Sequence, residues 1–146
     1  MNLAYVHKFS HFLLLHRVPI LPKLFYYLSR IIFNSSVPPS VQLGKRTAFA
    51  YGGIGVVLHD RCVIGTDCII GQGVTVGGRS KHPNVPKIGN RVYIGAGARI
   101  LGPITIGDDV IIGPNAVVIA DVPSKSIVVG IPARVVKSDI NIYDYI

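Results

Sequence analysis

The chain predicts a mainly β solenoid, a stack of coils sharing one core, and three observations predict it. Aliphatic residues recur at every sixth position: Leu58, Ile64, Ile70, Val76, then Ile88, Ile94, Ile100, Ile106, Ile112 and Val118. The following residue is usually glycine, as at Gly65, Gly71, Gly77, Gly89, Gly95, Gly107 and Gly113. Four places past the aliphatic comes a second small or aliphatic residue: Cys62, Cys68, Val74, Val92, Ala98, Ile104, Val110, Ala116 and Val122. Apolar positions recur at 3.6 residues on a helix and at 2 along a strand, so neither produces this beat. Stacked units of fixed length do. Each beat residue belongs to a short β-branched strand, points inward and stacks on its equivalent one coil away, at about 4.8 Å. A buried Ile or Val contributes roughly 1.5–3 kcal/mol, so the ladder holds a chain without tryptophan. The glycines are expected at bends, where they accept positive φ. A sandwich of short strands would space its turns irregularly at roughly 8–12 residues, which this single phase excludes.

Residues 1–36 are read as a helical segment. Leu3, Val6, Phe9 and Leu13, then Leu24, Tyr27, Leu28 and Ile31, recur at helical spacing, with a break near Pro19 and Pro22. The apolar stripes are expected to pack on the solenoid or on a neighbouring subunit. The basic residues Lys8, Arg17, Lys23 and Arg30, without an acid, allow peripheral contact with an anionic membrane instead. No apolar stretch approaches the roughly 20 residues that span a bilayer. His7 and His11, four apart, suit a packed or solvated pair better than a metal site. Val37-Pro38-Pro39-Ser40 ends the helices and opens the β-helix, assigned to residues 37–136, with 137–146 as a tail.

Two gaps interrupt the beat. Phe49 to Leu58 is longer than one repeat, which places an insertion within Ala50–Gly55. Val76 to Ile88 spans two repeats, and the middle one has His82 where an aliphatic belongs, so Arg79–Lys87 reads as a loop leaving the column. Irregularities in a repeat array tend to carry function.

Composition narrows the chemistry. The 146 residues carry a net charge of +8, no Glu, 16 Gly and two Cys, with a mean hydropathy of +0.48. The apolar excess suits a prism with inward rungs on every side. Cys62 and Cys68 fall on different sides of a three-walled coil, so they read as core rather than a disulfide, in a reducing cytoplasm. Of five His, only His59 and His82 lie on the β-helix, too few for a three-His zinc site, and no metal is expected. Asp108 and Asp109, in a coil corner, are most simply solvated. Nucleic acid is not an expected partner, since no basic face with interleaved aromatics appears on the repeats.

The runs Ile64–Ile69, Ile70–Thr75 and Val76-Gly77-Gly78 resemble the hexapeptide-repeat acyltransferases, which fold as left-handed parallel β-helices with three hexads per coil. Val74–Gly78, Tyr93–Gly102 and Val129–Arg134 resemble serine acetyltransferases in particular. The resemblance implies a homotrimer with sites in clefts between columns, acetyl-CoA as co-substrate, and a small hydroxyl acceptor, serine or a sugar. A catalytically silent assembly protein is the alternative of a different class. It also implies two catalytic His, one on a coil and one on the loop. The coil His falls near Tyr51 or Gly52 here, and Val85 precedes Pro86-Lys87-Ile88 where the loop His would stand. His82 is the first substitute and His59 the second; neutral imidazole can take a hydroxyl proton near pH 7. His59 could equally cap a bend. Tyr51 and Lys81 are candidates for the acceptor. Gly77, Gly78, Arg79, Gly95, Ala96, Gly97, Ala98, Arg99, Pro114 and Arg134 are candidates for the coenzyme, through backbone approach and phosphate pairing; small residues would also serve coil packing alone.

Overall fold

The computed structural model describes residues 2–146 and shows a parallel β-solenoid with two helices at its start. The first face is built from β1 (Gln42–Leu43), β4 (Val63–Ile64), β7 (Lys87–Ile88) and β10 (Thr105–Ile106). The second stacks β2 (Ala48–Phe49), β5 (Ile69–Ile70), β8 (Tyr93–Ile94), β11 (Ile111–Ile112) and β13 (Ile127–Gly130). The third stacks β3 (Val57–Leu58), β6 (Thr75–Gly77), β9 (Arg99–Leu101) and β12 (Val117–Val118). Only β14 (Ala133–Lys137) runs antiparallel, folding back on β13.

The six-residue beat sets this register. Ile64 pairs with Ile88, Ile70 with Ile94, and Val76 with Ile100, each in parallel. Every beat residue from Leu58 to Val118 is at most 4% exposed, and the second set from Cys62 to Val122 at most 6%. Cys62 and Cys68 are buried, unpaired and on neighbouring faces. The surplus residues leave the column at two corners. A tight turn at Ala50–Gly53 takes the first, with Tyr51 and Gly52 at positive φ. Residues 78–86 take the second; Lys87 is not part of this loop but the first residue of β7.

The glycines after the beat have a different cause from the one expected. Gly65, Gly71, Gly89 and Gly95 do not adopt positive φ. A Cβ on Gly71 would sit 2.6 Å from the Ala96 nitrogen, and one on Gly65 would run into the Gly89 carbonyl. They are glycine because successive coils touch there. At the corner between first and second faces positive φ falls instead on the residue two past Gly44, Gly65, Gly89 and Gly107, that is Arg46, Asp67, Arg91 and Asp109, and on Lys125 one coil on. These alternate in charge along the column. Arg46 binds Asp67 through two N–H···O contacts of 2.5 and 2.6 Å, and Arg91 binds Asp109 at 2.6 and 2.8 Å. Asp108 Oδ1 accepts the Asn90 amide at 2.7 Å. Asp108 and Asp109 are therefore bonded parts of the corner rather than merely solvated.

Helices α1 (Leu3–Leu15) and α2 (Leu21–Phe33) form a hairpin, with Pro22 in the first turn of α2 where a missing N–H costs nothing. Leu3 and Ala4 join the solenoid core, and His7 Nε2 donates to the Val41 carbonyl at 3.1 Å. The α2 stripe, expected to pack on the solenoid or on a neighbouring subunit, does not pack on the solenoid of its own chain: Leu24, Tyr27, Leu28 and Ile31 are exposed, while Pro22, Ser29 and Phe33 are buried. Sequence periodicity finds a stripe but not the side on which the solenoid lies.

Candidate active site

The site gathers where the third face turns into the first. His59 follows β3, Gly78 follows β6 one coil on, and Leu101 ends β9 one coil further. The parallel register brings these three corners into line. A cleft of about 470 Å³ runs along the corners after β6, β9 and β12, next to the His59 corner, lined by Gly78, Arg79 and Ser80, then Leu101, Gly102 and Pro103, then Ile119. The Gly102 amide donates to the Gly77 carbonyl at 3.0 Å, which ties the two corners together.

His59 forms a dyad with its neighbour. Its Nδ1 lies 2.7 Å from Asp60 Oδ1 and 3.2 Å from the Arg61 backbone nitrogen. Nδ1 cannot donate to one and accept from the other at once. The Arg61 N–H has hydrogen-bond geometry toward Nδ1, and Asp60 lies at ion-pair distance; only with the proton on Nδ1, directed at Asp60, does Nε2 keep the lone pair. The other edge of the ring lies against Gly78: a Cβ there would be 3.7 Å from His59 Cδ2 and 3.8 Å from Nε2. Val85 of the loop meets the same glycine, 3.5 Å from that position. Val85 is the residue that stands where the resembled family's loop His is expected, so His59 brings an imidazole beside that place from a different strand.

The other sequence candidates divide. Arg79 borders the cleft, and Gly77 and Gly78 form its first corner. His82 is exposed on the loop, where its amide closes a turn on the Arg79 carbonyl at 3.0 Å. Among the described residues no acid pairs with the His82 ring; neither His82 nor His59 is itself a lining residue of the cleft, and it is His59 that lies against Gly78. Lys81 is exposed beside it, at positive φ. Tyr51 is 78% exposed at the opposite end of the third face from His59. Gly95, Ala96, Gly97, Ala98 and Pro114 also lie at that far corner, away from the cleft. There a Cβ on Gly95 would reach the Pro114 nitrogen at 2.5 Å, Gly97 has φ +71°, and Ala98 is core. Arg99 donates to the Gly73 and Gly97 carbonyls at 2.5 and 2.8 Å, and Arg134 to the Ala133 carbonyl on the terminal hairpin. Asp60, Leu101, Gly102, Pro103 and Ile119 were not singled out from sequence. Their signal was available: each follows a third-face strand, at the place equivalent to Gly78 or one residue to either side.

Comparison with known proteins agrees with this architecture. The bacterial transferase hexapeptide (six repeats) family matches residues 86–120. The serine acetyltransferase of Synechococcus elongatus is 42% identical over 132 residues, covering 89% of this chain and 54% of that one. The crystal structure of the Brucella abortus serine acetyltransferase in complex with coenzyme A shares the fold with a TM-score of 0.87 and 30% identity, over 94% of this chain and 56% of the other. The Neisseria gonorrhoeae enzyme in complex with serine gives 0.83 and 34%, over 90% and 54%. The chain thus spans about half the length of these relatives. By repeat, sequence and fold, it belongs to the hexapeptide-repeat proteins, of serine acetyltransferase-like kind.

Proposed function

We propose that the protein transfers acetyl from acetyl-CoA to the hydroxyl of a small acceptor, with His59 as general base and Asp60 as its positioning partner. The observation that carries this is the His59 ring, 2.7 Å from a carboxylate at Nδ1 and set against Gly78, a residue that lines the cleft. Nε2 takes the acceptor's hydroxyl proton, and the freed oxygen attacks the thioester carbonyl. The Gly78 amide is the donor at hand for the tetrahedral oxyanion. Collapse breaks the C–S bond, and the thiolate takes the proton back from the imidazolium. Leu101, Pro103 and Ile119 suit a pantetheine arm, and Arg79 suits a coenzyme phosphate. Relatives named serine acetyltransferase, one solved with coenzyme A and another with serine, support the donor and make serine the first acceptor to try.

Tyr51 or Gly52, and Val85, standing where the resembled family has histidines, favour a second acceptor class, a sugar hydroxyl. A homotrimer, with the cleft shared between columns, is part of the proposal. Coenzyme A release is measured with acetyl-CoA and serine, then with a panel of sugars, alongside the mass in solution. Release dependent on one acceptor class, from a trimer, is expected. No release with any hydroxyl acceptor would leave a silent assembly protein.

A further inference from the structure

The helical hairpin presents apolar side chains to solvent on the side a core would not use. At 100° per residue, Pro22, Ser29 and Phe33 cluster on one side of α2 and are buried. Half a turn round lie Leu24, Tyr27, Leu28 and Ile31, between 40% and 81% exposed. Helix α1 repeats the arrangement: Leu3, His7 and Ser10 face the protein while Tyr5, Phe9 and Phe12 face away. Twelve of the 24 exposed large hydrophobic side chains fall in these first 32 residues, so the apolar surface is concentrated rather than scattered.

We propose that this hairpin docks on an anionic lipid membrane and lies along its surface. Charge selects the occupant. Lys8, Arg17, Lys23 and Arg30 accompany the stripes, and no acidic residue precedes Asp60 anywhere in the chain. A second copy meeting this face would bring like charges together without one compensating carboxylate. An anionic bilayer satisfies both the apolar stripe and the cations. Lys23 and Arg30 flank the α2 stripe on one side, and Arg30 lies over the Tyr26 ring at 5.8 Å, which suits side chains that reach past an embedded helix face to headgroups. Among the described residues no helix is long and apolar enough to cross a membrane, so the proposed contact is peripheral.

The test is sedimentation of the full chain with vesicles of phosphatidylcholine alone or containing about one-third phosphatidylglycerol. Binding at least about tenfold stronger to the anionic vesicles, weakened in roughly 0.5 M salt, is expected. The pair Leu28→Glu with Ile31→Glu should abolish it. Both positions are exposed, so the fold should persist, as melting would report. Lys23→Gln with Arg30→Gln should weaken binding without touching the apolar stripe. Equal binding to both vesicles, or none, overturns the proposal. So does a Leu28→Glu, Ile31→Glu pair that changes the mass in lipid-free solution, since the face would then belong to a copy-to-copy contact.

Discussion

In the proposed mechanism the His59 side chain carries the proton, and its two ring nitrogens have separate surroundings: Nδ1 lies 2.7 Å from Asp60 and meets the Arg61 N–H, and the Nε2 edge meets Gly78. Asp60→Asn keeps the shape but removes the anion that favours the Nδ1 proton. It should lower kcat on the order of 10–100-fold, less than loss of the base itself, with KM for acetyl-CoA unchanged. A matching fall from Asp139→Asn, an exposed carboxylate on the C-terminal segment, would remove Asp60 from this role. His7 is the other informative imidazole. Burial, offset by the Val41 carbonyl and reinforced by His11 and Lys8, lowers its pKa from 6.5 to about 4. The unfolded chain therefore binds more protons than the folded one between those values. Stability should fall as pH drops from 6.5 to 4, by about 3 kcal/mol in full. His7→Gln, which keeps a donor for the Val41 carbonyl, should flatten that slope in urea titrations run across the window. An unchanged slope would mean other groups govern it.

The strands, corners and helices were legible in the sequence to different degrees. The ladder was readable because period six writes the inward positions directly: Ile94 and Ile100 are fully buried where the beat puts them. Both gaps marked real departures from the column, at Ala50–Gly53 and at residues 78–86. What the glycines do was not readable, since it depends on how closely two coils approach, and no single coil encodes that distance. The outward turn of the α2 stripe, and the setting of the His59 ring against Gly78, likewise depend on which neighbour a side chain meets. Two substitutions test the coil account. Ile94→Ala should cost about 2–5 kcal/mol by opening a void between rungs. Gly65→Ala should cost about 1–3 kcal/mol by forcing a Cβ into the Gly89 carbonyl, although Gly65 has no positive φ to defend. Chemical denaturation checks both; a neutral Gly65→Ala would show that the coils can move apart freely.

For the molecule as a whole, stacking does two jobs. It buries a continuous core, and it lines up the corners after β6, β9 and β12 into one cleft, with the imidazole of the β3 corner against its first glycine. The same core shields the thiols. Burial pushes Cys62 up to about 12 and raises Cys68 as well, so neither should react with a thiol reagent until the protein unfolds. That makes released coenzyme A the only thiol such a reagent sees in the native protein. The central claim is then tested by the rate of coenzyme A release, with the acceptor the wild type uses, for His59→Asn and His82→Ala side by side. Loss of about 10²–10⁴ in kcat/KM for His59→Asn, with His82→Ala near wild type, is the predicted result. A His59→Asn protein as active as wild type, or the loss falling on His82→Ala instead, would contradict it.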